Sequence, residues 1–197
     1  MALAGCSVFG IRSGTPEPTY QVIAKAGPAE IRQYAPRLAA SVTIPGDELQ
    51  ARYQGFRRLA GYIFGGNTQK TSISMTAPVA QSSAKIAMTA PVAQTRNSTG
   101  SWTITFFMPA NYTMATLPKP ADPGIFIHNL PASLDAVIRF SGIPGTTPVA
   151  REQAALLQAL SRSEWVATGE PVALFYDPPW TLPWCRRNEV AVPVAHR

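Results

Sequence analysis

The amino-acid sequence predicts an α+β fold: a curved antiparallel sheet or a distorted barrel with two helices, arranged as two half-repeats. Three observations lead to this prediction. Strand-like segments outnumber helical ones, 19 Pro and 14 Gly residues provide many turns, and the order strands–helix–strands occurs twice. The tripeptide Ile-Pro-Gly precedes each predicted helix, at residues 44–46 and again at 143–145. Because no linker-like segment separates the halves, we expect them to share one core.

The first half begins with three segments that have the composition and alternation of β-strands. We predict these strands at residues 20–24, 29–34 and 38–44. The first Ile-Pro-Gly tripeptide is predicted to end the third strand, because proline and glycine interrupt a sheet.

The first helix is predicted between Asp47 and Gly65. Asp47 and Gln50 have the spacing of a capping box, which marks a helix start. The segment Gly65-Gly66-Asn67 is predicted to end the helix, because glycine is favoured just after a helix terminus. Between these limits, apolar residues recur every three or four positions and form one helical face. That face comprises Leu49, Tyr53, Phe56, Ala60 and Ile63.

A tandem repeat follows the first helix. Residues 73–81 recur as residues 86–94, with eight of nine positions identical. Four residues, 82–85, separate the two copies, and this length suits a hairpin loop. Each copy contains a proline, which cannot donate a hydrogen bond to a sheet. We therefore expect bulges or edge positions here.

The second half repeats the pattern of the first. Strands are predicted at residues 102–108, 126–128 and 134–140, followed by a helix with Thr147 as N-cap and Pro148 in its first turn. The predicted buried face of this helix consists of Ala150, Ala154, Leu157 and Leu160. The last three strands are predicted at residues 165–168, 171–176 and 189–194.

Composition and charge argue against several classes of protein. With 46% hydrophobic and 14% charged residues the chain is not predicted to be disordered, and no apolar run is long enough for a membrane-spanning helix. The net charge is +6, but the 17 basic residues are scattered, so we expect no nucleic-acid partner. Two Cys and two His residues form no metal or disulfide motif. The common enzyme signature motifs are also missing from the sequence.

The N-terminus contains Leu3-Ala4-Gly5-Cys6, which resembles the bacterial lipobox, where a signal peptide is cleaved before a cysteine that becomes acylated. Cys6 is therefore the predicted lipidation site. We expect residues 1–17 to be a lipobox-like terminus and flexible tether, and residues 18–197 to be the folded domain. A lipoprotein of this kind would be anchored to the membrane at the bacterial cell envelope and face the periplasm. The alternative is a disordered terminus with an incidental free cysteine.

Four segments together resemble the SOUL haem-binding protein family. They are residues 86–92 (IAMTAPV), 102–109, 176–181 (YDPPWT) and 186–190 (RRNEV). The resemblance covers about residues 18–195, and the doubled MTAPV element is similar to bacterial members. It implies a distorted antiparallel β-barrel built from two pseudo-twofold half-repeats, each with one α-helix. It also implies haem or another tetrapyrrole as a non-covalent ligand, held mainly by an apolar surface.

In this family the first helix and nearby strands supply the ligand surface. The resemblance therefore implies a cofactor-binding role for Tyr53, Phe56, Arg57, Ala60, Ile63 and Phe64. Core packing is the competing interpretation for Phe56, Ala60 and Ile63, and the one we favour. Arg57 or Arg58 could pair with a haem propionate, because guanidinium groups bind carboxylates bidentately. Either could equally be an exposed helix arginine without a partner.

His128 is the candidate axial ligand for the haem iron, with a purely structural role as the alternative. No other metal is implied. Tyr53 and Tyr62 are further candidates, because each carries a phenolic oxygen. The charged segment Arg186-Arg187-Asn188-Glu189 could clamp an anionic ligand, but we favour ion pairing near a strand end.

We predict that the protein is a non-catalytic haem or tetrapyrrole binder or carrier, tethered at the bacterial cell envelope. Two alternatives stay open. One is a small-molecule-binding or hydrolytic enzyme on a gyrase-inhibitor-like barrel, which rests on analogy of fold. The other is a protein-interaction module with an apolar groove.

Overall fold

A computed structural model of the chain describes residues 7–10, 15–84 and 100–197. Its regular structure consists of ten antiparallel strands and two α-helices, α1 (Glu48–Ile63) and α2 (Thr146–Ser161). The strands are β1 (Tyr20–Ala26), β2 (Ala29–Tyr34), β3 (Arg37–Pro45), β4 (Val79–Ala84), β5 (Ser101–Phe107), β6 (Phe126–Leu130), β7 (Ser133–Phe140), β8 (Trp165–Ala167), β9 (Val172–Phe175) and β10 (Asn188–His196). The nine strands predicted outside the tandem repeat are all present, each within two residues of its predicted limits.

The strands form one sheet in the order β1-β2-β7-β10-β9-β4-β5-β3-β6, and β8 pairs with the end of β10. This confirms the predicted α+β class with an antiparallel sheet. The closed barrel implied by the family resemblance is wrong, because β1 and β6 are the two edges of an open sheet among the described residues. The reason lies in β2, whose outer side is already paired with β1 and cannot pair with β6.

The start of α1 agrees with the sequence prediction. The side chain of Asp47 accepts a hydrogen bond of 2.9 Å from the backbone N–H of Gln50, as an N-cap should. The helix ends before Gly65, whose φ of +110° is a conformation that glycine adopts without strain. The cap residues therefore set both limits of this helix.

The buried face of α2 differs from its prediction. Gly145, not Thr147, is the N-cap, and the buried residues are Val149, Leu156 and Leu160. Of the four predicted core positions only Leu160 is buried; the other three, Ala150, Ala154 and Leu157, are exposed. Val149, Leu156 and Leu160 are seven and four residues apart, so they share one face of the helix, next to the predicted face. The alanines of α2 made these two faces hard to distinguish in the sequence pattern.

The first copy of the tandem repeat contributes β4, which lies between β5 and β9 at the centre of the sheet. The predicted hairpin loop at residues 82–85 is wrong in its first part, because residues 82–84 continue the strand. The predicted edge position is also wrong. Pro78 precedes β4, so the ladder does not require its missing N–H. The second copy, residues 86–94, lies outside the described residues.

The sheet has two different faces. α1 packs against β3 and β5, α2 packs against β7, β8 and β10, and a core cluster lies beneath each helix. Because successive strand residues point to opposite sides, a third cluster lies on the other side of the sheet, which we call the helix-free face. This cluster includes Phe107, Leu174 and Tyr176. Neither described helix has the length and apolar character that crossing a membrane requires.

Candidate functional site

A row of apolar side chains follows the solvent side of α1. We define this α1 stripe as Leu49, Tyr53, Phe56, Ala60 and Phe64. Its four large members are 46%, 62%, 38% and 67% exposed, in that order, and Ala60 is half-buried. Contiguous exposed apolar patches mark binding surfaces. The stripe is therefore the first candidate for a ligand contact, and its exposure departs from the core packing that we favoured for Phe56 and Ala60.

Small residues on the other side of α1 explain why the stripe faces outward. The helix rests on the sheet through a buried face that includes Ala51, Gly55 and Leu59. A Cβ atom on Gly55 would lie only 2.3 Å from Cγ1 of Ile104, so the glycine lets the helix approach β5 closely. The larger apolar side chains of the helix are left toward solvent, where Phe56 makes an edge-to-face contact with Phe106 at 5.4 Å between ring centroids.

Ile63 does not belong to this surface. It is 1% exposed and lies in the core cluster beneath α1, and its carbonyl accepts a hydrogen bond from the backbone N–H of Ile73. The role implied for Ile63 is therefore wrong for a ligand bound on the α1 stripe. The structure brings the other five implied residues together on one side of the helix. Their contact with a ligand stays a prediction.

The two adjacent arginines of α1 have different surroundings. Arg58 donates two hydrogen bonds to Asp122, from Nε to Oδ2 at 2.7 Å and from Nη2 to Oδ1 at 2.6 Å. These hydrogen bonds, with one from the backbone N–H of Gly124, hold the pKa of Asp122 below its ordinary value. Arg57 is exposed and has no ion-pair partner within residues 7–10, 15–84 and 100–197. Of the two, Arg57 is the guanidinium available to a ligand.

His128 lies on the opposite side of the sheet from α1. It is paired with Ala39 on β3, and its Nε2 is 2.8 Å from Oγ of Ser41, which in turn is 2.7 Å from Oγ1 of Thr105. Burial lowers the pKa of His128, so the imidazole is neutral at pH 7. With the sheet between them, His128 cannot ligate the iron of a haem on the α1 stripe. In the described part of the chain no group of three or more metal-ligating side chains could hold a metal ion.

The charged segment near the C-terminus forms a buried ion-pair network. The carboxylate of Glu189 is fully buried and accepts hydrogen bonds from Arg32 at 2.9 and 3.1 Å, from Arg187 at 2.9 Å and from the hydroxyl of Tyr176 at 2.6 Å. Arg187 also donates to Glu17 at 3.0 Å. These contacts confirm the ion-pairing interpretation of the segment, because Arg187 and Glu189 form ion pairs with side chains of the protein itself.

A cavity of about 270 Å³ lies on the helix-free face, and we call it the sheet cavity. Strands from both ends of the sheet line it, so the sheet curls around it. Three of its polar residues, Tyr34, Arg37 and Asp135, were missed by the sequence analysis. Tyr34 and Arg37 are close in sequence but lie on different strands, β2 and β3, and Asp135 joins them from β7, which pairs with β2. Alternation of polar and apolar residues along β2 and β7 was the available signal, since it marks a second face with its own chemistry.

Fold and surface together define an α+β domain with an exposed apolar helix face beside an available arginine, which suits a flat apolar ligand with acidic groups. The family model described as SOUL heme-binding protein matches residues 15–193. The chain belongs to the SOUL haem-binding protein family. No curated protein matches the chain.

Several solved structures share the fold at low sequence identity. The C-terminal domain of EcmrR superposes with a TM-score of 0.61 at 13% identity, covering 90% of this chain and 99% of that one. EcmrR in its DNA complex gives a TM-score of 0.61 at 12% identity, covering 90% and 58%. A hydrolase from Listeria innocua gives a TM-score of 0.54 at 9% identity, covering 93% and 94%. These similarities establish the fold alone.

Proposed function

We propose that this protein binds haem or a related tetrapyrrole non-covalently on the α1 stripe and acts as a binder or carrier. The observation that carries the proposal is the exposed apolar row on α1 with Arg57 beside it. A porphyrin presents a broad apolar face and carboxylate side chains. The α1 stripe matches the apolar face of the porphyrin, and the guanidinium of Arg57 can pair with one of its carboxylates. Membership of the SOUL haem-binding family supports the same ligand.

Individual residues on and beside the α1 stripe would make different contacts with the porphyrin. Tyr53 and Phe64, both well exposed, would bury their rings against the porphyrin, and each fully buried aromatic contributes about 1.5–3 kcal/mol. Phe56 is already fixed against Phe106 and would form a rigid part of the surface. Arg57 would pair with a propionate. Haem, when bound, supplies an iron centre, and the phenolic oxygen of Tyr53 is the iron-ligating group that the stripe can offer.

We infer in addition that the chain consists of two half-repeats. Each half would contain four strands and one helix, β2-β3-α1-β4-β5 and β6-β7-α2-β9-β10 in chain order. The sheet order supports this inference, because β6-β3-β5-β4 on one side mirrors β2-β7-β10-β9 on the other, with β4 and β9 at the centre. The first strand of each half then pairs with the second strand of the other half.

Titration of the protein with haemin, followed by absorbance, tests the haem proposal. We expect a saturable Soret shift at one haem per chain. Arg57→Ala should weaken binding roughly five- to tenfold, because a surface hydrogen bond to a charged group contributes about 1–1.5 kcal/mol. Arg151→Ala is the matched control, since Arg151 is an exposed arginine on α2 whose partner is Glu152. Its haemin affinity should equal that of the unchanged protein.

Two outcomes of this titration would contradict the proposal. One is a Soret shift that does not saturate, which is typical of non-specific haemin adsorption. The other is a shift that Arg57→Ala leaves intact and His128→Ala abolishes. That pattern would move the haem to the helix-free face.

We also propose that the chain is anchored at a bacterial membrane through Cys6, as an envelope lipoprotein facing the periplasm. Cys6 itself lies outside the described residues. The next residues, 7–10, do not form a free tether but pack onto the body of the protein, so an anchor at Cys6 would hold the domain close to the membrane. The carbonyl of Val8 accepts a hydrogen bond of 2.9 Å from the N–H of Leu182. Gly10 lies so close to Cys185 that a Cβ atom would collide with its carbonyl oxygen.

Exposed aromatic side chains accompany this docked segment: Phe9 within it, and Trp180 and Trp184, which lie two residues on either side of its contact Leu182 in the chain. Tryptophan is enriched at membrane–water interfaces, so this surface suits a membrane beside an anchor at Cys6. In cells that produce the protein we expect an acylated Cys6 by mass spectrometry, and Cys6→Ser should release the protein from the membrane fraction. An unmodified Cys6, or unchanged fractionation of Cys6→Ser, would contradict the anchor.

A further inference from the structure

The sheet cavity has mostly apolar walls. Its volume is about 270 Å³, and it is open to solvent on the helix-free face. Residues from eight strands on both sides of the sheet centre line it, and its apolar walls include Phe107, Leu130, Val172, Leu174 and Ala191. Pockets of this kind, apolar with a few convergent polar groups, are typical small-molecule sites.

Arg37 on β3 is the polar group that lacks hydrogen-bond partners in this cavity. Its Nε and Nη1 atoms are buried and have no hydrogen-bond partner among the described residues. Its guanidinium carbon lies 4.4 Å from the ring centroid of Tyr34 and 5.3 Å from that of Phe107, so aromatic rings hold it in place. A buried cation with unused donors is costly, and a ligand that supplies acceptors would remove that cost.

Among the residues that the structure describes, Asp135 is the one carboxylate within ion-pair distance of Arg37, and the pair is loose. Nη2 of Arg37 and Oδ2 of Asp135 are 3.7 Å apart, which is too long for a hydrogen bond. Burial raises the pKa of Asp135 in spite of Arg37 and a 3.3 Å hydrogen bond from Ser133. Asp135 therefore satisfies Arg37 only in part.

The other ionisable groups of the cavity do not compensate Arg37 either. Glu17 is ion-paired with Arg187 at 3.0 Å. His128 has its pKa lowered by burial and carries no charge at pH 7. Arg37 is the one arginine or lysine among the described residues that line the cavity.

We propose that the sheet cavity binds an amphipathic carboxylate, with the apolar body of the ligand against the cavity walls and its carboxylate on Nε and Nη1 of Arg37. This site is separate from the α1 stripe, because the sheet lies between them. A water molecule occupies about 30 Å³ in the liquid, so the cavity accommodates about nine groups of that size. A carboxylate with a chain of about eight carbons matches this volume.

Isothermal titration calorimetry with three probes of equal length tests the proposal: sodium octanoate, 1-octanol and octylammonium chloride. We expect octanoate to bind at least tenfold more tightly than 1-octanol, since only the carboxylate satisfies Arg37. Octylammonium should bind most weakly. Equal affinity for octanoate and octanol, or a preference for octylammonium, would overturn the proposal.

Two variants with opposite expected effects connect the preference to Arg37. Arg37→Gln should reduce octanoate affinity at least tenfold and bring it close to that of octanol. Asp135→Asn should increase octanoate affinity several-fold, because it removes a competing carboxylate. A denaturation curve for each variant establishes that it is folded. Octanoate binding that neither substitution changes would overturn the assignment of Arg37.

The haem site and the cavity site can be tested separately. Arg57→Ala should leave octanoate affinity unchanged, and Arg37→Gln should leave haemin affinity unchanged. Saturating octanoate should not displace haemin. Displacement would show that the two ligands share one site, and this would overturn the separate site while leaving haem binding itself intact.

Discussion

At the scale of single residues, the buried carboxylate of Glu189 stands out because it accepts four hydrogen bonds from three side chains. Two arginines and one tyrosine donate to it, and no part of it reaches solvent. Burial alone would raise the pKa of Glu189, but the hydrogen bonds and charges of Arg32, Tyr176 and Arg187 outweigh burial and hold the pKa below its ordinary value. The network connects β2 to β10 across β7, so it stabilises the sheet.

We expect Glu189→Gln to lower the free energy of unfolding at pH 7 by about 3–5 kcal/mol, because it leaves buried arginines without their anionic partner. A carboxylate with a depressed folded pKa stabilises the protein above its ordinary pKa of about 4.3, and that contribution is lost as pH falls through the lower folded value. The difference in free energy of unfolding between the unchanged protein and Glu189→Gln should therefore decrease below about pH 4.

Urea denaturation of both proteins at a series of pH values measures this gap. Glu164→Gln is the control, because Glu164 is an exposed carboxylate whose one ion-pair partner in the described part of the chain is His196, at 3.3 Å. Exposed pairs contribute about 0–1 kcal/mol, so this variant should change stability little. A similar loss in both variants, or a constant gap down to pH 3, would contradict the role given to the network.

At the scale of elements, α1 shows what hydrophobic periodicity can and cannot predict. The helix limits followed from Asp47 and Gly65, because capping is local chemistry. The buried face did not follow, because α1 has two candidate faces. One contains the large side chains of the α1 stripe, and the other contains small residues such as Ala51 and Gly55. Small residues contribute little to a hydrophobicity pattern, yet they permit the closest packing.

Two glycines of α1 offer a matched test of this packing. Gly55→Ala should destabilise the protein by about 1–3 kcal/mol, because its Cβ would lie 2.3 Å from Cγ1 of Ile104. Gly61→Ala should stabilise it by about 0.5–1 kcal/mol, because a Cβ there meets nothing within 4 Å and alanine favours a helix. Thermal unfolding of both variants measures the sign of each change in stability. The same sign in both would contradict this orientation of α1.

At the scale of the whole molecule, the sheet separates two candidate ligand surfaces. The α1 stripe lies on the side of the helices, and the sheet cavity lies on the helix-free face with His128 in its lining. The sequence analysis had assigned His128 and the α1 residues to one haem site, because one-dimensional patterns do not report which side of a sheet a residue faces. Strand register does report the side. His128 on β6 is paired with Ala39 on β3, whereas the next pair, Ile127 and Ala40, lies in the core beneath α1.

Long-range pairing also explains which whole-molecule features were predictable. The α+β class and the strand limits depend on local alternation, and they were confirmed. The open sheet depends on β1 covering the outer side of β2, and the sheet cavity depends on Tyr34, Arg37 and Asp135 meeting through three strands. No local sequence pattern encodes these contacts between different strands.

The central claim is that haem binds on the α1 stripe, and its most direct test is a map of haem contacts by NMR. Ferric haemin is paramagnetic and broadens the amide signals of residues close to it. With one equivalent of haemin, we expect the amides of residues 53–64 to broaden selectively, while those of β6 and β7 stay sharp. Selective broadening around His128 and Asp135, with sharp signals along α1, would contradict the account.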